Sequence, residues 1–565
     1  MTLSIPYIGS RRLSGVDDRR APIDPSLLTS VNGSDVPDSF PLALWRVQAA
    51  RYYEYWEWFN GGILNEKRTS VDNKRDILKY PLGINSVRNF ARKHASVLMG
   101  QEEYDSGNPL VKTKVSPKVA LKNKRIVNPE TGEAKTDPAL KELAGLAEDI
   151  VEQVWIDSNG RSMMMEQAEL SQFLGGCVFQ VAWEEHKANE REIPITIKKV
   201  MPDFFIPIFS NDDPWDLLEA FVVYRVTVTE AKERYGYSGV GNGFVTFCEH
   251  WTKTHFAILI NKVPAVIGGI SMDYQEHDFG FVPFVYIPHL REGNFWGSSM
   301  IEDIRGLLRE LNARTADTGD AIRTTVHRKR YVRDLNGDVK PKKLDTGVEA
   351  INLGQTSPAS KVSPHVFTED PPNMPASLVD WNNQLWVQLM REGNVGPIAF
   401  GEDEGSQRSA LTLAFRMWPS TSHAQAERTF WTDGLNQIAR YILKMCAVKA
   451  KFLKGVVIPE DFLKNLQFSQ AWLPQIPRDR EQKVNEVVLL FQAGLRSPDL
   501  CIKMLGDVAY PKEELDSIRE WQTFQAGLAI KVKAAASPGA SGTAGVGAQT
   551  QLTTPKATSG TGLND

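Results

Sequence analysis

The spacing of apolar residues changes twice along this chain, and those two changes constrain its fold more than any single motif does. Up to about Leu174 the large apolar side chains recur at three- and four-residue intervals, the period of a helix face. After Gly175 and Gly176 the period shortens. CVFQVAWEE, IPITIKKV, AFVVYRVTV, VTFCEHWT, FAILI and FVPFVYIPH are β-branched and aromatic runs separated by turns, so residues 177 to about 290 are expected to be mainly sheet. Helical spacing returns at SSMIEDIRGLLRELN. A 565-residue chain that reads helix, sheet, helix is an α+β, mainly helical protein of more than one domain, because single cores stop growing near roughly 250 to 300 residues.

The first helical region opens on Trp45, Tyr52, Tyr53, Tyr55, Trp56, Trp58 and Phe59 and is halted at Gly61 and Gly62. Only Arg46 and Arg51 are interleaved, so a core or a subunit interface is the better reading and base stacking the lesser one. GINSVRNFARKHASVLMG sets Ile84, Val87, Phe90, Ala91, His94, Val97 and Leu98 on one face, with Arg88, Arg92 and Lys93 largely opposite. Two more helices are expected over about 138–157 and 162–174.

Beyond the sheet region, Ser298 or Ser299 can cap a helix whose stripe is Met300, Ile301, Ile304, Leu307, Leu308 and Leu311. Its later half offers the small residues Thr315, Ala316, Thr318, Gly319 and Ala321, which pack closely against neighbours or lie exposed. KRYVRDLNGDVKPKK reads as two extended runs around Asn336 and Gly337, a hairpin in a small mixed region. A second helix carries Leu378, Val379, Trp381, Leu385, Trp386, Leu389 and Met390 to Gly393. The loop NVGPIAFGEDEGSQ leads from it into a long helix from about Ser409 to Val448. Arg480–Ala493, a cap at Ser497 before Pro498, and a helix near Lys512 to Gln525 describe a small helical terminal domain.

The hydrophobic share of 42% and charged share of 24% fit a globular protein, and a net charge of -4 excludes a globally basic nucleic-acid coat. Any DNA contact is therefore local or weak. Cys177, Cys248, Cys446 and Cys501 are too few and too scattered for a disulfide framework and are expected to be reduced core residues. No run of about twenty apolar residues would span a membrane, and the first residues have no apolar leader, which points to a cytoplasm-like compartment. Residues 1–40 are expected to be a flexible or partner-ordered arm, and residues 537–565, of linker composition, a disordered tail.

No nucleophile elbow, Walker A loop, zinc motif or dinucleotide fingerprint is present. GVGNG at 239–243 follows a short helix and precedes a strand, the reverse of a phosphate cradle, and reads as a turn. His250 and His255, at odd separation in a sheet, would face opposite sides. Asn211, Asp212, Asp213 and Asp216 in NDDPWD could hold a divalent cation or simply make an Asx turn. One basic patch stands out, His327 with Arg328, Lys329, Arg330, Arg333, Lys340, Lys342 and Lys343, either a solvated hairpin or a contact for DNA phosphate or an acidic partner. No catalytic residue, metal ligand or cofactor is assigned, and the chain is not expected to be an enzyme.

The order of elements resembles the portal family of tailed bacteriophages. RNFARKHASVLMG resembles the family's early helix and NFWGSSMIEDIRGLLRELN the opening of its descending stem helix. NVGPIAFGEDEGSQRSALTLAFRMW resembles the channel loop running into the long wing helix, and FSQAWLPQIPRDREQKVNEVVLLFQAGLRS the strand and helices leading to the crown. The resemblance implies a wing over 41–297, a descending stem helix over 298–327, a clip over 328–373, an ascending stem helix over 374–393 and a channel loop over 394–408. A long wing helix with its following segment over 409–470 and a helical crown over 471–536 complete it.

It also implies a closed homo-oligomeric ring, usually of twelve subunits, with non-specific double-stranded DNA in its channel. The partners would be terminase, a head–tail adaptor, and the major capsid and scaffolding proteins. The place would be the portal vertex of the virion, and the host cytoplasm during assembly, with no membrane. The basic patch would then be the clip's partner or DNA contact. Asn394, Gly396, Pro397, Glu402, Asp403, Glu404, Gln407 and Arg408 would form a mobile loop closest to DNA. The alternative is a metal-dependent nucleic-acid-processing enzyme acting through NDDPWD; another virion ring component, such as an adaptor, would normally be much shorter.

Overall fold

The computed structural model describes residues 41–61, 84–100, 109–117, 138–210, 212–213, 216–241, 243–291, 295–326, 330–334, 350–355, 365–368, 376–400, 410–449, 463–464, 466–475, 480–505 and 511–535. The expected arm over 1–40 and tail over 537–565 lie outside them. Contacts divide the chain into two units, 1–477 and 478–565. In chain order the first holds helices α1 (Pro41–Asn60) and α2 (Val87–Met99), strand β1 (Val111–Pro117), and helices α3 (Pro138–Asp157) and α4 (Gly160–Leu174). Strands β2 (Gly176–Trp183), β3 (Ile195–Val200), β4 (Phe205–Phe209) and β5 (Leu217–Thr227) follow, then helix α5 (Val228–Tyr235) and strands β6 (Phe244–Thr252), β7 (His255–Ile260) and β8 (Phe284–Pro288). Helix α6 (Met300–Val326), strands β9 (Arg330–Asp334), β10 (Ala350–Gln355) and β11 (His365–Thr368), helices α7 (Ala376–Glu392) and α8 (Ala410–Val448), and strand β12 (Leu466–Trp472) complete it. The second unit is helical, with α9 (Arg480–Gln492), α10 (Pro498–Leu505) and α11 (Pro511–Ala535).

The core is built around a three-stranded antiparallel sheet of order β8-β2-β3. Strand β2 is buried on both faces, which is why CVFQVAW shows no clean polar alternation. Cys177, Phe179 and Val181 join Val285 and Ile287 against Val154, Trp155, Trp431 and Ile438 of helices α3 and α8. On the other face Val178, Phe284 and Tyr286 meet Phe205, Ala220 and Val222 of a second antiparallel sheet, whose long path is β7-β6-β5-β4. Each large side chain so enclosed contributes about 1.5–3 kcal/mol of transfer free energy. Thr227 caps α5, its Oγ1 accepting the Glu230 N–H at 3.2 Å.

Several sequence expectations are met and some are corrected. The aromatic stretch of α1 is a packing platform: Tyr52, Tyr55 and Trp58 are buried among Phe90, Phe173, Ile304 and Leu389, with Gly61 ending the helix at positive φ. All four cysteines are free and buried. Ile84, expected on the buried face of α2, precedes that helix and is exposed, its main chain held instead by the Asn312 side chain at 2.6 Å and 3.3 Å. Strand β1 was not expected at all. It pairs antiparallel with β12, Val115 opposite Phe468, some 350 residues away, so Ala471 and Trp472 belong to this sheet and not to a helical region.

The hairpin expected at Asn336 and Gly337 lies outside the described residues. Strand β9 has β10 parallel on one edge and β11 antiparallel on the other. Residues 335–349 lie outside the described ones. Among the described residues, no helix is long and apolar enough to cross a membrane.

Candidate functional site

Two helices leave the core as an antiparallel pair. Ser299 Oγ accepts the Ile301 N–H at 3.1 Å and donates to Phe173 O at 2.6 Å, which caps α6 and ties its start to α4. Glu302 and Asp303 then stand in the first turn, where the helix dipole favours carboxylates. The stripe Met300, Ile301, Ile304, Leu308 and Leu311 buries against Leu385, Leu389 and Met390 of α7. Gly393 closes on the Ile304 side chain, and further along Asn382 Nδ2 donates to Thr318 Oγ1 at 3.0 Å. These two contacts set the antiparallel direction. Helix α1 braces the pair: Tyr55 donates to Glu302, Arg305 pairs with Glu54 at 3.3 Å, and the Arg309 guanidinium lies 5.2 Å over Trp58.

Past this contact the small residues act as their sequence suggested. Ala316 is buried, while Thr315 and Thr318 hydroxyls donate to Leu311 O and Arg314 O, each at 2.7 Å. Ile322, Val379, Trp381 and Val387 are exposed, although Val379 and Trp381 were expected on the packed stripe. Between the two helices in sequence comes the β10-β9-β11 sheet. Of the basic residues singled out, Arg330 and Arg333 fall on its central strand, opposite Thr368 and His365. Arg328, Lys329, Lys340, Lys342 and Lys343 lie outside the described residues.

The chain turns sharply after α7. Asn394 takes a positive φ of 51°, and its N–H donates to Arg391 O at 3.1 Å. Ser420 Oγ donates to Asn394 O at 2.9 Å, and Gly396 N–H reaches the same hydroxyl at 3.4 Å. Pro397 opens a short 3-10 turn, Pro397–Phe400, whose Phe400 ring meets Phe90 edge-on. The first three loop residues are thus tied to α8 beside Pro419, a helix-interior proline that leaves one carbonyl of the ladder without its donor. Glu402, Asp403, Glu404, Gln407 and Arg408 lie outside the described residues.

At the root of the helix pair the fold gathers charged residues that sequence reasoning passed over. His94 of α2, His289 just after β8, and His423 and Glu427 of α8 are brought together with Gln172 of α4. Glu427 is fully enclosed: Gln172 Nε2 donates to its Oε2 at 2.5 Å, while His423 Nε2 and His289 Nε2 stand 3.2 Å and 3.4 Å from its Oε1. Burial alone would raise the Glu427 carboxyl, but the two imidazoles outweigh it and hold it well below the usual range. Burial would lower His289, and the carboxylate reverses that direction. His94 is drawn down to about 4 by burial and by His423. Neighbouring Arg428 donates to Leu98 O at 2.8 Å and Leu473 O at 3.0 Å, which fastens α8 to the end of α2 and to the residue after β12. The only local signal in the sequence was the four-residue step from His423 to Glu427 on one helix face.

The other sequence leads resolve as structure. His250 and His255 fall on separate strands of a hairpin, and His250 is buried between Glu219 at 3.0 Å and Tyr274 at 3.1 Å. Asp216 gives its carboxylate to Lys253 at 2.8 Å and its N–H to Asp213 O at 3.0 Å, a turn between β4 and β5. GVGNG links α5 to β6. A family model described as phage portal protein, SPP1 Gp6-like, matches residues 171–524. No curated protein matches the chain.

Proposed function

The chain belongs to the phage portal protein family, and from that premise we propose that it is one subunit of a closed ring at a capsid vertex, through which double-stranded DNA passes during packaging and ejection. In this reading α6 and α7 are the two stem helices, the β10-β9-β11 sheet belongs to the clip, the residues after Gly393 open the channel loop, and α9, α10 and α11 form the crown. The ring nucleates capsid assembly, docks the packaging terminase and later receives the adaptor and tail. The chain itself makes and breaks no bond, and hydrolysis of ATP belongs to the motor it docks.

The observation that carries this reading is the helix pair. Its root is locked into the core, while its outer half combines small residues with the exposed apolar side chains Ile322, Val379 and Trp381. Such a surface needs a neighbour, and a heterologous contact that closes on itself makes a ring. The near-neutral net charge of -4 suits a conduit, since a channel rich in phosphate contacts would hold DNA instead of letting it slide. Negative-stain electron microscopy of the purified protein tests it. A ring with an axial hole is expected; a chain that stays monomeric at high concentration and with capsid and scaffolding proteins present would overturn it.

A further inference from the structure

The hydrogen bonds around the buried cluster dictate where its nitrogen lone pairs point. His94 Nε2 donates to Gly393 O at 2.7 Å, so the lone pair is on Nδ1, which is buried and makes no hydrogen bond. His289 Nδ1 donates to Ser298 O at 2.9 Å, which leaves Nε2 turned toward Glu427. His289 Nε2 and Glu427 Oε1 are within ion-pair range at 3.4 Å, yet neither makes a hydrogen bond of good geometry. His423 Nε2 approaches the same oxygen at 3.2 Å. Buried lone pairs aimed at a buried carboxylate oxygen repel unless positive charge lies among them.

A metal ion satisfies this arrangement. Zinc ligands at about 2.0–2.1 Å in a tetrahedron stand about 3.3 Å from one another. The two contacts on Glu427 Oε1 are 3.2 Å and 3.4 Å, and the ligand atoms that His94, His423 and Glu427 offer all lie within 4.8 Å of one another. We propose that His94, His423 and Glu427 bind one divalent transition-metal ion of the zinc class, and that His289, whose Nε2 stands 3.4 Å from Glu427 Oε1, turns in as the fourth ligand to close a structural site.

Three imidazoles and one carboxylate select zinc or its neighbours over magnesium and calcium, which take oxygen donors. The outer shell is already in place: Gly393 O, Ser298 O and the Gln172 amide each fix the orientation of one ligand, as backbone carbonyls and side chains do around metal-binding histidines. All protein ligands and no open position make the site structural, not catalytic. Its location gives the ion a purpose, because Ser298 lies two residues before α6 and Gly393 directly follows α7. The metal joins α2, α8 and the end of β8 at the point where both helices leave the core, and this holds whether or not the chain forms a ring.

The test uses the untagged full-length chain, produced in zinc-supplemented medium and analysed by inductively coupled plasma mass spectrometry. About one zinc per chain is expected, with a fall in melting temperature after chelation that added zinc reverses. Cobalt(II) added to the stripped chain should give the intense visible absorption of four-coordination, which reads the ligand set without relying on a variant. His423→Gln should cut metal content to below about one tenth of the native value. Less than about a tenth of an ion per folded native chain, with no four-coordinate cobalt spectrum, would overturn the proposal and leave His289 protonated on Glu427. Undiminished metal in a folded His423→Gln chain would overturn it as well.

Discussion

Gly175 decides where helix becomes strand. Its φ of +78° is one that side chains with a Cβ adopt only under strain, and a Cβ there would stand 2.4 Å from Gly297 O, a main-chain atom that has no rotamer to yield. Gly175→Ala should therefore destabilise the protein by about 3 kcal/mol or more, seen as a lower midpoint in thermal unfolding. A second residue sets an acid limit. Burial raises the Glu184 carboxyl, but hydrogen bonds from Lys187, Lys198 and Thr196 outweigh it and hold it at about 2, below the ordinary 4.5. A depressed carboxyl stabilises the fold fully above its unfolded value, and that contribution is lost as pH falls from about 4.5 through about 2. Glu184→Gln should cost on the order of 1 kcal/mol at pH 7, discounted for partial exposure, and the difference from native should vanish near pH 2 in urea titrations.

At the scale of elements, the basic patch and the loop carry separate expectations. The strand β9 that bears Arg330 and Arg333 is central in its small sheet. If that sheet meets terminase and adaptor, replacing Arg328, Arg330, Lys342 and Lys343 with Ala lowers packaged DNA and connector attachment while rings still form. Normal virion yield from that variant would return the patch to a solvated surface. The loop after Asn394 bears Glu402, Asp403 and Glu404, whose repulsion toward phosphate would keep a duplex sliding. Changing all three to Lys should slow packaging in a purified motor assay, and raised salt should relieve the defect as charges are screened. Unchanged packaging at low salt, with rings confirmed, would place the loop away from DNA.

For the whole molecule the decisive property is large apolar side chains that stand exposed among the described residues. Val379 and Trp381 on α7 are about half exposed, at 47% and 46%. Phe415 and Trp418 of α8 are more exposed still, at 69% and 66%. Side chains of this size facing water are costly unless another subunit covers them. Val379→Ser with Trp381→Ser should leave the circular dichroism of the chain unchanged and shift assembly from rings toward monomers in multi-angle light scattering. Full ring yield from the double variant would show that the neighbouring subunit does not cover this surface.

What the sequence determined by itself was local. The switch from helical to alternating spacing at Gly175, the stripe of α6, the stop at Gly393 and the extent of α8 all depend on near neighbours and backbone propensity, so they were legible without a fold. The same holds for the order of elements on which the portal resemblance rests. Tertiary structure decided whatever joins distant residues. VKTKVSP is too polar to announce β1, and only its partner 350 residues later makes it a strand. The partners of β9 are likewise distant in sequence, β10 running parallel on one edge and β11 antiparallel on the other. The histidine–carboxylate cluster is the extreme case, since only the step from His423 to Glu427 is local and residues 94 and 289 lie far from it in the chain. Chain folding alone brings the ligand atoms of His94, His423 and Glu427 within 4.8 Å of one another and sets His289 3.4 Å from Glu427.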